Sequence, residues 1–397
     1  MPAVDVLVVG AGPAGCVAAW EAAAAGARVL LIERDRAIGA PVRCAEGVGS
    51  AGLREFLDPD GAPWVSRRVS RMIFVSPDGT EAPLAEQDIG YILDRTRFEP
   101  ALAEQASRAG AEIRIGTEAV GLERADGGAP NAGWRVRLRG PGGAATVAAR
   151  VVIGADGVET MVGRWAGLDT RVASRDMESC AQYVAGNITF DPDAIYLHFG
   201  PSIAPGGYAW VFPKGVGVAN VGLGVVTLRG DGRTARGYLD DFLARHFPGA
   251  TVTGLTVGGV ISGVTVKRTV TDGVMLAGDA AHMINPLSGG GIINAMKAGR
   301  LAGRHAARAL RADDVSASSL QPYHEEWMAL LGRAHEKYYK LKDALHRYDD
   351  DFFNRLARTV NRVPQEKRTL ARVMASALVH HPTLIPVAAQ LLVKEFC

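Results

Sequence analysis

Cysteine is scarce in this chain: Cys16, Cys44, Cys180 and Cys397 are the 4 in 397 residues, and no CxxC occurs. Such scattered thiols exclude a disulfide framework and a zinc finger, and they fit a reducing cytoplasm. Net charge is also lacking. Lys plus Arg number 44 against 42 Asp plus Glu, so no basic stripe marks a nucleic-acid surface and no nucleic-acid partner is expected. No apolar run approaches the ~20 residues of a membrane-spanning helix. The N-terminus runs into an apolar strand without a charged leader or cleavage site, so no signal peptide is expected. The 48 glycines and 20 prolines are dispersed, which indicates turns and close backbone approaches rather than a disordered tract. A chain of this length accommodates two or three domains of ~100–200 residues.

What is present begins at once. "VDVLVVGAGPAGCVAAWEAAAAGARVLLIERD" reads as strand, turn, helix, strand. Val6 to Val9 form the continuous apolar run of a strand buried on both faces. Gly10, Gly12 and Gly15 follow as GxGxxG. They permit a tight turn, approach of the backbone to a pyrophosphate, and packing of helix on strand. The next helix presents its N-terminal N–H groups to phosphates. Glu33 ends the second strand, where a carboxylate accepts the ribose hydroxyls of an adenosine. This segment alone leaves FAD and NAD open.

Two later motifs select FAD. "RVVIGADGVET" is a buried strand followed by Asp156, and "GVMLAGDAAHMINPLSGGGIINAMKAG" is a strand, Gly278-Asp279, then a loop opening a helix near Gly291. Asp279 is placed to hydrogen-bond a ribityl chain. Helix amides after Gly289–Gly291 are placed to favour the negative charge of a reduced isoalloxazine. Asp156 has a second reading, bonding backbone within its own turn. GAGPAG with Glu33, then ADG, then GD with PLSGGGI resemble the flavoprotein hydroxylases and their relatives. Thr160 departs mildly, since relatives often carry serine there.

"APGGYAWVFPKGVGVANVGLG" narrows the resemblance further. Tyr208, Trp210 and Phe212 alternate onto one strand face, with Pro213 expected to end the strand and Gly206-Gly207 allowing close approach before it. This resembles the YxWxFP motif of the geranylgeranyl reductase family. "RCAEGV" resembles that family's CxxG as Cys44 to Gly47, and "DRTRFEPALAEQA" with Arg95 matches as well. The aromatic face has two readings, the lining of a lipid tunnel or a sheet face packed on a helix.

The resemblance implies an α/β Rossmann-like FAD-binding domain, an antiparallel β-sheet substrate domain of α+β type and a C-terminal helical region. The boundaries expected are 1–165 with 266–310 for FAD, a substrate-domain excursion near 65–94, 166–265 for substrate, and 311–397 for the helices. The resemblance implies FAD contacts at Gly10, Gly12, Ala14, Gly15, Glu33, Cys44, Ala45, Gly47, Arg95, Val120, Asp156, Asp279, Gly290, Gly291 and Ile292. Small residues at Cys44, Ala45 and Gly47 would cradle the flavin, with Arg43 and Glu46 pointing away from the ring or toward the lipid's polar end. Cys44, Tyr208 and Trp210 are the catalytic candidates, and Tyr208, Trp210 and Phe212 the substrate-binding ones. No metal is expected.

The implied activity is saturation of isolated C=C bonds in the geranylgeranyl or polyprenyl chains of a membrane lipid or a prenyl diphosphate, by hydride from the reduced flavin and a proton. Tyr208 or an ordered water is the candidate proton donor. With a single GxGxxG, the electron donor is NAD(P)H or a reduced ferredoxin-like protein docking transiently. A monooxygenase or halogenase of the same fold, and a prenyl-lipid carrier without catalysis, are the competing readings. Near the C-terminus, Leu370, Val373, Met374, Ala377 and Leu378 share a helical face in a basic segment. That pattern fits either a helix packed on its own domain or peripheral contact with an anionic membrane on the cytoplasmic side. His380-His381 lack a third ligand at metal spacing.

Overall fold

The computed structural model describes residues 3–85, 89–125 and 132–369. The chain forms two compact units. The first takes the N-terminal segment up to Pro41, Arg95–Val172 and Gly263–His335; the second takes Val42–Asp94, Ala173–Ser262 and the residues from Glu336 on.

The first unit is built on an eight-stranded sheet. Its path runs β17 (Val270–Thr271), β18 (Val274–Leu276), β11 (Gly143–Gly154), β1 (Ala3–Val9), β2 (Val29–Ile32), β8 (Glu112–Arg114). From β18 to β8 neighbouring strands are parallel. The pair β9 (Glu118–Arg124) and β10 (Trp134–Gly140) adds antiparallel strands at β11. Val6, Leu7, Val8 and Leu31 are fully buried, as expected where helices cover both faces of a parallel sheet. The helices are α1 (Pro13–Ala24), α3 (Arg95–Arg108), α4 (Val162–Trp165), α6 (Ile292–Arg311) and α7 (Ala317–Trp327). The alanines of α1 have a packing reason. A Cβ on Gly299 or Gly303 of α6 would strike the backbone at Ala14, Ala18 or Ala22, so the two helices cross nearly in backbone contact. Tyr323 on α7 donates its hydroxyl to Leu276 O at 2.6 Å, tying that helix to β18.

The second unit carries a seven-stranded sheet ordered β16 (Thr251–Ile261), β12 (Met177–Gly186), β15 (Val218–Val226), β14 (Ala209–Gly215), β13 (Ala194–His198), β5 (Arg71–Val75), β6 (Glu81–Pro83). A small sheet, β3 (Gly47–Gly49), β7 (Gly90–Leu93) and β4 (Val65–Val69), accompanies it. The helices are α2 (Ser50–Arg54), α5 (Ala235–His246), most of α8 (Arg333–Leu345), and α9 (Asp350–Asn361). One face of the large sheet is its core. Tyr183, Val211, Val221 and Leu223 pack there on Tyr238, Leu239 and Phe242 of α5.

Three features differ from the sequence-based expectation. The excursion into the second unit begins at Val42 rather than near residue 65, and residues 311–335 belong to the first unit. Segments that pair only through long-range ladders leave little local signal. The large sheet contains one parallel pairing, β5 with β13, because β5 arrives from the excursion. Pro213 does not end its strand; β14 runs on to Gly215 with a register shift between Pro213 and Gly215. β13 pairs β14 only as far as Val211, so Pro213 sits where the strand has one neighbour, a position that tolerates a residue without an N–H. The C-terminal amphipathic pattern from Leu370, with His380, His381 and Cys397, lies outside the described residues.

Candidate active site

The first unit holds the dinucleotide turn. Gly10 has φ +99° and sits where a Cβ would meet the Ala155 carbonyl, while Gly15 fits against the Gly10 carbonyl. Gly12 caps α1 without a side-chain cap, Pro13 opens the helix, and a Cβ on Gly12 would meet nothing within 4 Å. Gly12 therefore offers no side chain to the first-turn N–H groups of α1, an arrangement that suits a phosphate. Gly291 likewise caps the 20-residue α6 with no side-chain hydrogen bond, after Gly290 and ahead of Ile292. Glu33 is fixed at the end of β2: its Oε2 accepts from Ala11 N at 2.8 Å and its Oε1 from Asp35 N at 2.9 Å. Those two bonds leave acceptor capacity for ribose hydroxyls.

Asp279 follows β18 in a short 3₁₀ turn. Burial pushes its carboxyl up, while the charge of Arg95 pulls it down. An acceptor in that condition suits a ribityl hydroxyl. Helix ends without side-chain caps, a fixed acidic acceptor and a half-buried carboxylate are a donor and acceptor set that suits FAD, so these residues fit it. Arg95 itself pairs with the buried Glu99. Val120 lies half-buried on β9. Asp156 accepts from Thr160 Oγ1 at 2.6 Å, Met161 N at 2.7 Å and Val162 N at 3.0 Å. Those bonds occupy both carboxylate oxygens and hold the turn into α4.

The second unit brings the two remaining motifs together. Tyr208, Trp210 and Phe212 are half-buried, while Ala209, Val211 and Pro213 between them are buried on the α5 side. The aromatic face is therefore the one that α5 does not cover. Phe199 extends it, 5.8 Å from Tyr208 and 5.3 Å from Phe74 between ring centres, and Phe353 of α9 stacks on Phe199 at 6.3 Å. Trp210 lies flat over Gly222, where a Cβ would come within 2.6 Å of the indole.

The Cys44 turn is tied to this face by three side chains. Gln182 accepts from Trp210 Nε1 at 2.9 Å and donates to Cys44 O at 3.0 Å. Asn220 donates to Ala45 O at 3.2 Å and to Glu46 Oε2 at 2.9 Å. Lys214 donates to Glu46 Oε2 at 2.7 Å and to Leu93 O at 2.6 Å. The thiol of Cys44 accepts from Glu46 N at 3.1 Å. Glu46, expected to point away from the ring or toward the lipid's polar end, commits its carboxylate to Lys214 and Asn220. It is 5% exposed, has φ +72°, and turns inward onto the sheet. Gly47 has a reason of its own to be glycine, since a Cβ there would come within 2.7 Å of the Phe212 ring.

The sequence reading missed Lys214, Gln182, Asn220 and Phe199. Lys214 continues the alternation Tyr208, Trp210, Phe212, and ending the strand at Pro213 concealed it. Gln182 and Asn220 gave no local signal because their partners lie 138 and 174–175 residues away. Burial pushes the Tyr208 phenol up, and Glu178, Cys180 and Cys44 add to that.

A family model described as the geranylgeranyl reductase catalytic domain matches residues 176–260, and one described as an FAD binding domain matches residues 3–195. The digeranylgeranylglycerophospholipid reductase of Methanosphaerula palustris is 42% identical over 387 residues, 96% of each chain. That of Methanocella arvoryzae is 42% identical over 386 residues, 96% of this chain and 97% of the relative. The crystal structure of a geranylgeranyl bacteriochlorophyll reductase-like protein from Thermoplasma acidophilum superposes with a TM-score of 0.91 at 32% identity, covering 99% of this chain and 100% of that one. No helix among the described residues is long and apolar enough to cross a membrane. With its dinucleotide turn, its Cys44 turn and its aromatic strand all in place, the chain belongs to the geranylgeranyl reductase family and is an FAD-dependent oxidoreductase.

Proposed function

We propose that this protein saturates the isolated double bonds of geranylgeranyl chains carried by a glycerophospholipid; its relatives from Methanosphaerula palustris and Methanocella arvoryzae are named digeranylgeranylglycerophospholipid reductases. The observation that carries the reading is the half-buried aromatic face locked through Gln182 to the Cys44 turn. When bound and reduced, FAD supplies the hydride. The chain's own residues bind the cofactor through Gly10, Gly12, Ala14, Gly15, Glu33 and Asp279, with the α6 terminus at Gly290, Gly291 and Ile292. Arg95, Val120 and Asp156 complete the proposed FAD set, Asp156 by holding its turn.

Tyr208, Trp210 and Phe212 form an apolar wall that orients an alkene with no carbonyl to polarise, so position and exclusion of water do the work. Cys44, Ala45 and Gly47 keep a small-residue turn against that wall and serve the reaction centre. The substrate's apolar chains hold it in a bilayer with its charged headgroup at the surface, so the enzyme takes it up there. Mixing anaerobic, dithionite-reduced protein with a digeranylgeranyl phospholipid should return the oxidised flavin spectrum in proportion to lipid added. A spectrum that stays reduced would overturn the proposal, and reoxidation only on admitting oxygen would favour a monooxygenase.

A further inference from the structure

On β12, Glu178, Cys180 and Gln182 alternate onto the aromatic face, as the bond from Trp210 to Gln182 requires. Gly207 and Gly224 leave room there. A Cβ on Gly224 would lie 3.1 Å from Glu178 Oε2 and 3.1 Å from Cys180 Sγ, and one on Gly207 would lie 3.6 Å from Glu178 Oε2. The carboxyl thus occupies the space opened by the two glycines that flank Tyr208 in the sheet. Behind it lies Ser262, whose hydroxyl donates to Asp176 O at 3.4 Å and lies close enough to Glu178 to act on its carboxyl. Lys342 of α8, only 4% exposed, donates to Ser262 O at 2.5 Å and to Ser262 Oγ at 3.0 Å. Lys342 also lies 3.9 Å from Asp176, which accepts from Tyr339 at 2.7 Å.

We propose that Glu178 is the acid that protonates the alkene, with Ser262 returning the proton and Lys342 stabilising the carboxylate in between. The inference rests on the reductase reading above. One alkene carbon takes the hydride with its electron pair, and the other takes the Glu178 proton. The π bond is replaced by two C–H bonds, and the two electrons come from reduced FAD. Glu178 is left as a carboxylate that Lys342 stabilises until a solvent proton arrives through Ser262.

The groups facing Glu178 agree with this assignment. Burial pushes its carboxyl up, while Ser262's hydrogen bond and Lys342's charge restrain the rise. Burial pushes Lys342 down. Tyr208, also facing it, is pushed up by burial and so is the poorer proton donor; Cys180 is pushed up as well.

The test compares wild type with Glu178→Gln. Infrared spectra at neutral pH should show a protonated carboxylic acid band in wild type that the variant lacks and that disappears as pH rises. In single turnovers of reduced enzyme, Glu178→Gln should slow saturation by about 10²–10⁴-fold, with FAD content and lipid affinity unchanged. A variant within about threefold of wild type, or no such band, overturns the assignment while leaving the reductase reading intact. Failure of wild type to reduce lipid overturns the reductase reading itself. Should Glu178→Gln not fold, Ser262→Ala removes the hydroxyl beside Glu178, together with its bonds to Lys342 and Asp176 O, and should move the band's midpoint to higher pH; an unmoved midpoint overturns the relay.

Discussion

Lys214→Met removes the counter-ion of a buried carboxylate, and its consequence can be worked from the structure. The Glu46 and Lys214 side chains are 6% and 20% exposed, with 2.7 Å between Nζ and Oε2. Taking one partner from such a pair costs about 3–5 kcal/mol, because the other charge stays buried. Asn220 still donates to Glu46 at 2.9 Å, which holds the cost toward the lower end. Leu93 O also loses its 2.6 Å donor, worth about 1–3 kcal/mol if no water replaces it. Glu46→Gln is milder, since a neutral amide oxygen still accepts from Lys214. The double variant should therefore be less destabilised than the sum of the singles, by about 1–3 kcal/mol. Urea unfolding of all four proteins, followed by Trp fluorescence, supplies the cycle. Additivity within ~0.5 kcal/mol would refute the claim that this pair anchors the Cys44 turn.

Three further outcomes are expected. Gly47→Ala should force the Phe212 ring aside, at a cost of about 1–3 kcal/mol, and lower turnover without releasing FAD; unchanged melting and turnover would contradict the contact. Glu33→Lys should weaken FAD binding by about 10–100-fold, the loss of a charged hydrogen-bond partner worth ~1.5–3 kcal/mol, and full flavin occupancy after dialysis would contradict the adenosine placement. His198 is buried edge-on against Phe242 at 4.9 Å and is held neutral, its pKa lowered from 6.5 to about 3 by burial and then by His246. As pH falls below about 6.5 the unfolded chain takes the proton first, so stability drops by up to about 1.4 kcal/mol per pH unit until about pH 3. His198→Phe should flatten that slope, and an identical acid-unfolding curve would contradict it.

The parts of this protein legible in its sequence are those whose physics is local. Gly10, Gly12, Gly15 and Glu33 declare themselves within about one strand–helix–strand unit, because the turn, the helix end and the acid are fixed by neighbours in the chain. The aromatic alternation at Tyr208, Trp210 and Phe212 was readable for the same reason: strand period sets the face. What covers each face was not readable, since α5 packs on the other side through Leu239 and Phe242. Glu46 shows the limit most clearly. The sequence places it only relative to a ligand, away from the ring or toward the lipid's polar end, and only Lys214 and Asn220, arriving from 168 and 174 residues away, make an inward carboxylate favourable. Gly47 was read as small for the sake of a ligand, yet Phe212 alone already demands glycine.

The central claim is that reduced flavin on this chain saturates prenyl double bonds. The most direct measurement is mass spectrometry of a digeranylgeranyl phospholipid after anaerobic incubation with the dithionite-reduced protein. The account predicts product peaks heavier by whole multiples of H₂, with deuterium from heavy water at the protonated carbon. Lipid recovered at its starting mass, from protein shown to carry reduced FAD, would contradict it.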